Sequence, residues 1–190
     1  MDASTPSPAA GALPGAGGGA GRKAIFLDVD GTIMKDGVHI PALAAKAIRA
    51  ARANGHLVFL STGRGMAELQ GELMDIGFDG AVSNGGAELG EDFAVIGGTI
   101  PLAFAASGEV APRGVHKGAA IGAILERLDI DPADAIGVGD NWNDAEMFEV
   151  CGTAIAMGNA VDGVKALADQ VTTSIDDDGI WNAFERNRLI

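Results

Sequence analysis

Short, almost wholly apolar runs that alternate with amphipathic helical stretches constrain this chain more than any other feature. Residues 24–29, 57–60 and 135–138 carry apolar side chains at nearly every position. A strand with one wet face alternates apolar and polar residues; a strand buried on both faces does not. Between these runs the apolar residues recur at helical spacing. The stretch 42–53 sends Leu43, Ala47, Ile48 and Ala51 to one side and Lys46, Arg49 and Arg52 to the other. The stretch 117–128 does the same with Ala120, Ile121, Ile124, Leu125 and Leu128. Further helices are expected at 65–76, 144–150, 161–168 and 179–187, the last capped by Asp178. Short strands are expected at 81–83, 153–156 and 171–173. Strands alternating with helices imply an α/β fold, a Rossmann-like three-layer sandwich around a mainly parallel sheet. The turn Lys35-Asp36-Gly37 predicts a small flap hairpin over 32–40.

Charge narrows the function classes. The chain has 190 residues, 26 acids and 13 bases, for a net charge of −13. A nucleic-acid partner would need a basic stripe, which is absent. No apolar run approaches the ~20 residues of a membrane span. Residues 1–22 are rich in Ala, Gly, Pro and Ser and read as a disordered tail, without the basic start and apolar core of a secretory signal. The lone Cys151 has no partner for an internal disulfide and packs as a small hydrophobe. Together these features set a cytoplasmic expectation for a core domain over 23–190.

The chemistry gathers where the strands end. Asp28 and Asp30 close the first apolar run, and Gly31 lets the backbone turn sharply after them. A second acidic cluster, Gly139-Asp140-Asn141-Trp142-Asn143-Asp144, follows the run 135–138. In open parallel sheets ligands sit beyond the carboxyl ends of the strands. Asp28, Thr62, Asn84 and Asp140 can therefore converge although they are distant in sequence. Four acids at two such ends suit a Mg²⁺ ion that handles phosphate. A calcium loop also uses a DxDG string, but it sits between helices and lacks the preceding buried strand. His39, His56 and His116 share no ligand spacing and read as structural or exposed. Trp142 either shapes the pocket wall or packs over the sheet edge.

Four motifs in order carry a family resemblance. Asp28-Val29-Asp30-Gly31-Thr32, Thr62-Gly63-Arg64, Lys117-Gly118 and Gly139–Asp144 resemble the successive signatures of the haloacid dehalogenase (HAD) superfamily of aspartate-nucleophile phosphatases. Ser83-Asn84-Gly85, Met157-Gly158-Asn159-Ala160 and Asp178-Gly179 are similar to its Cof-like group. The resemblance implies a Mg²⁺-dependent hydrolysis of a small phosphate monoester, a sugar phosphate or similar metabolite, through an aspartyl-phosphate on Asp28. Asp30 would be the general acid and then the base, with its pKa raised relative to that of Asp28. The metal would be held by Asp28, the Asp30 backbone carbonyl, Asp140 and, directly or through water, Asp144. Thr62, Gly63, Lys117 and Asn143 would meet phosphate, and Asn84 the substrate. Ser61 competes with Thr62 for the hydroxyl role, and the resemblance favours Thr62. Arg64 reaches substrate or only decorates a helix start.

One departure from the family stands out. Cof-like relatives carry a cap domain between the second and third signatures, whereas only 32 residues separate Asn84 from Lys117 here. The segment 84–116 reads as a reduced hairpin and loop, so the site would stay open or be covered by a neighbouring subunit. Two rival functions follow. A sugar phosphomutase would use the same acids but needs a lid. A catalytically weak binding module would not need all four acids.

Overall fold

The structure is a computed structural model that describes residues 21–83 and 116–190. Almost all of the expected tail and of the expected cap-site hairpin, with Asn84, lies outside the described residues.

Six strands form one parallel sheet: β1 (Ala24–Leu27), β2 (Leu57–Ser61), β3 (Gly80–Val82), β4 (Ala135–Gly139), β5 (Thr153–Ala156) and β6 (Gln170–Val171). Their order is β3-β2-β1-β4-β5-β6. β1 pairs with β2 on one side, Leu27 beside Leu60, and with β4 on the other, Leu27 beside Val138. The strand order reverses between β1 and β4, and a crevice opens at such a point.

Alternate residues of each strand feed two cores, as burial on both faces requires. Ile25, Leu27, Val58 and Leu60 pack under α1 (Ala42–Ala53) and α6 (Gly179–Arg186). Ala24, Phe26, Leu57 and Phe59 pack under α3 (Lys117–Leu128) and α4 (Ala145–Val150), with the Phe26 and Phe59 rings stacked at 5.1 Å. All five apolar residues expected on the inner face of α3 are buried. In α1 the fully buried side includes Ala44 rather than Leu43.

Three helix expectations need correction. The helix expected over 65–76 is broken into a 3-10 turn, Met66–Glu68, and α2 (Glu72–Asp75). Gly71 between them adopts φ 61°, ψ −140°, a conformation that side chains forbid and that no helix can pass through. The helix expected over 161–168 shortens to α5 (Asp162–Lys165). Asp178 does not cap α6 with its side chain; it takes a left-handed conformation instead, φ 59°. The flap is present: Lys35 and His39 pair antiparallel around a turn in which Asp36 and Gly37 both have positive φ. Among the described residues no helix is long and apolar enough to cross a membrane.

Candidate active site

The reversal between β1 and β4 places the two acidic segments side by side. The amide of Asp28 donates to the carbonyl of Val138 at 2.9 Å, which extends the β1–β4 ladder up to the first acid. Gly31 follows with φ 84°, and a Cβ there would collide with the Asp140 carboxylate. Glycine thus serves this loop by making room for the second acid. One carboxylate oxygen each from Asp28, Asp140 and Asp144 lies within 4.8 Å of the others.

Lys117 anchors this group from below. It is the first residue of α3, and its Nζ donates to Asp28 Oδ1 and to Asp144 Oδ1, both at 2.6 Å. The three side chains are at most 5% exposed. Two neighbours set this position. His116 caps the helix, its Nδ1 accepting from the Ala119 amide at 3.3 Å. Gly118 packs so closely on the Glu146 carbonyl of α4 that any Cβ would strike it. Asp144 spends its other oxygen on the amides of Asp140 and Asn141, at 3.0 and 3.2 Å. It therefore braces the β4 loop while it holds the lysine.

Electrostatics show what the cluster lacks. Three clustered carboxylates face one ammonium. Burial pushes the Asp28 carboxyl well above the ordinary carboxylate value and Asp144 adds to it, while Lys117 opposes both. Asp140 rises to about 7, first by burial and then by the charge of Asp144. Burial alone would lower Lys117, but Asp144 and Asp28 together carry it above the usual lysine range. Lys117 therefore offsets only part of what burial and Asp144 do to Asp28. Asp140 Oδ1 and Asn143 Oδ1 are also buried without a hydrogen-bond partner among the described residues. Two negative charges in excess, an orphaned carboxylate oxygen and an all-oxygen donor set fit a hard divalent cation such as Mg²⁺.

Above this floor lies a cleft of about 320 Å³, lined by Asp28, Asp30, Thr62, Gly63, Arg64, Glu68, Asp140, Asn141 and Asn143. Thr62, not Ser61, faces the cleft, and its hydroxyl accepts from the Arg64 amide at 3.1 Å. Ser61 is buried, its hydroxyl without a partner among the described residues. The Asp30 side chain stands apart from the three-acid group. Arg64 grips it bidentately, Nε to Oδ2 at 2.8 Å and Nη2 to Oδ1 at 2.6 Å, and also reaches the flap carbonyl of Gly37 at 3.3 Å. Trp142 does not line the cleft; its ring occupies the space above Gly163 on α5. His39 and His56 lie away from the cleft as expected.

Two sets of contacts escaped the sequence reading. The Arg64–Asp30 pair spans two loops, and no local pattern announces it. Asn159 donates to the Gly31 carbonyl at 2.8 Å and accepts from the Ile175 amide at 2.9 Å, tying the loop after β1 to the turn after β6. The signal for Asn159 was present in the Met157-Gly158-Asn159-Ala160 match, but not its role.

Known proteins resemble this chain in sequence and in fold. The pattern of the haloacid dehalogenase-like hydrolases matches residues 25–96 and 99–184. A Geobacillus stearothermophilus protein encoded in the 5′ region of pdhA is 42% identical over 84 residues, 44% of this chain and 88% of that protein. A phosphoglycolate phosphatase of Haloarcula marismortui is 37% identical over 93 residues, 49% of this chain but only 41% of that enzyme. The fold superposes on that of a HAD subclass IIB sugar phosphatase with a TM-score of 0.71 at 22% identity, over 88% of this chain and 100% of that one. The family pattern spans most of the sequence and includes every acid of the cleft, so the chain belongs to the haloacid dehalogenase-like hydrolase family.

Proposed function

We propose that this chain hydrolyses a small phosphorylated metabolite, a phosphate monoester, through an aspartyl-phosphate intermediate. The observation that carries this reading is the convergence of Asp28, Asp140 and Asp144 within 4.8 Å beside a doubly paired Lys117. An Asp28 carboxylate oxygen forms a bond to phosphorus as the bond to the alcohol oxygen breaks, and that oxygen takes a proton from Asp30. Asp30 then removes a proton from water, which attacks phosphorus and releases phosphate and the Asp28 carboxylate. Lys117 fixes the orientation of Asp28 and offsets its charge. Thr62, Gly63 and Asn143 line the cleft where phosphate oxygens need donors. Asp28, Asp140 and the Asp30 carbonyl would hold Mg²⁺, with Asp144 as a direct or water-bridged ligand. Bound there, the ion would offset the repulsion between the carboxylate and the phosphate dianion.

The relative named as a phosphoglycolate phosphatase supports a small phosphorylated metabolite as the substrate. Asn84 belongs to the substrate side of this reading by motif alone. No nucleic-acid or membrane partner is part of it, and a second subunit covering the cleft is. A cytoplasmic setting is the default of this reading, and the lone Cys151 is compatible with it.

The test is turnover of p-nitrophenyl phosphate with Mg²⁺, expected to fall by more than about 10³-fold in Asp28→Asn. Wild-type turnover in that variant would overturn the nucleophile assignment. Release of free phosphate from a sugar phosphate separates hydrolysis from a mutase.

A further inference from the structure

Among the described residues the cleft has one cation on its wall. Of the nine that line it four are acids, Asp28, Asp30, Glu68 and Asp140, and only Arg64 is basic. Lys117 lies beneath the floor with two carboxylates already at 2.6 Å. A substrate anion other than the transferred phosphoryl group thus finds a single cationic side chain among the described residues. Arg64 has the chemistry for it, because its planar fork matches a carboxylate through two parallel hydrogen bonds. The structure shows it making that contact, with Asp30 as the carboxylate.

Position decides which part of a substrate meets this fork. Phosphorus must sit at Asp28, and Asp30 must reach the oxygen of the departing alcohol. The group gripping Asp30 therefore stands beside that alcohol. Both Asp30 oxygens are held by the fork, so Asp30 must leave it to reach that alcohol oxygen. The Arg64 and Asp30 side chains are 22% and 52% exposed, and such a solvated pair is weak, so exchange costs little.

We infer that Arg64 is the specificity-determining residue of this site: it exchanges Asp30 for a carboxylate on the leaving alcohol, so the preferred substrates are phosphorylated hydroxy acids. The inference rests on the phosphatase reading above and adds the substrate class to it. A neutral alcohol leaves Arg64 on Asp30, with the acid locked. An acidic one draws Arg64 away and frees Asp30 in the same movement.

The test compares 2-phosphoglycolate with ethyl phosphate, which lacks the carboxylate at similar size, using Mg²⁺-loaded protein. Wild type should favour 2-phosphoglycolate in kcat/KM by at least about tenfold, the scale of one charge-assisted contact. Arg64→Ala should erase that preference by lowering kcat/KM for 2-phosphoglycolate, and Arg64→Lys should restore part of it. In the Asp28→Asn background, calorimetry should show tighter binding of 2-phosphoglycolate than of ethyl phosphate, and Arg64→Ala should abolish the difference. Equal losses for both compounds in Arg64→Ala, or a wild type without preference, would overturn the inference. If wild-type protein hydrolysed neither compound nor p-nitrophenyl phosphate, the phosphatase reading itself would fail.

Discussion

The floor and the rim of the cleft each hold one acid of the Asp28-Val29-Asp30 stretch, and each acid meets a cation. The two pairs are nevertheless unlike. Asp28 and Lys117 are 5% and 1% exposed, and the same ammonium is shared with Asp144. Asp30 and Arg64 are 52% and 22% exposed and share nothing with the floor. A shift of two residues along the chain thus moves a carboxylate from a desolvated, fully committed network to a wet, replaceable contact. Water makes the difference. Removing a partner from a buried pair strands a charge, whereas an exposed charge is resolvated at once. The floor is built to stay, and the rim is built to exchange.

Substitution should expose this asymmetry. Lys117→Met leaves Asp28 and Asp144 buried without their cation, and urea unfolding in EDTA should show a loss of about 3–5 kcal/mol. A loss under about 1 kcal/mol would equate floor and rim and break the comparison. Gly118→Ala should cost about 1–3 kcal/mol by the same measurement, because the new methyl meets the α4 backbone on which the position of Lys117 depends.

Proton linkage separates the two regions next. The folded pKa of Asp140 is about 7 against an ordinary 3.8, so the metal-free chain binds its proton more tightly folded than unfolded. That stabilisation is complete below about pH 4 and is lost as pH rises through 7, by up to about 1.4 kcal/mol per pH unit. Mg²⁺ needs the ionised form. The rise in melting temperature on adding Mg²⁺ should therefore grow between pH 5 and 8. A rise independent of pH would remove Asp140 from the metal site. The smallest effect belongs to the rim. Arg64→Ala should change stability by no more than about 1 kcal/mol, and less in 1 M salt than in 0.05 M, as measured by urea unfolding.

Much of this division could be read from the sequence, and the missing part has a physical cause. The strands were legible because burial on both faces leaves unbroken apolar runs such as Ala24–Leu27. Asp28, Asp140 and Asp144 were legible because they follow buried apolar runs, and Lys117 only through the order of the family motifs. The Arg64–Asp30 pair was not, since a salt bridge between two loops leaves no spacing in either. The break at Gly71 was hidden because an isolated glycine does not reveal its backbone angles. Asp178 misled for a related reason: aspartate suits a helix cap and a left-handed turn about equally, and the packing of Gly179 against the Thr173 carbonyl selects the turn.

The pairing of β1 with β4 has a temporal consequence. The ribosome delivers Asp28 long before Lys117, and Asp140 and Asp144 later still. A nascent chain that has emerged only through β3 carries Asp28 with neither its counter-charge nor its companion acids. The three-acid group can therefore assemble only late in synthesis, when the central strand of the sheet gains β4 as its second neighbour.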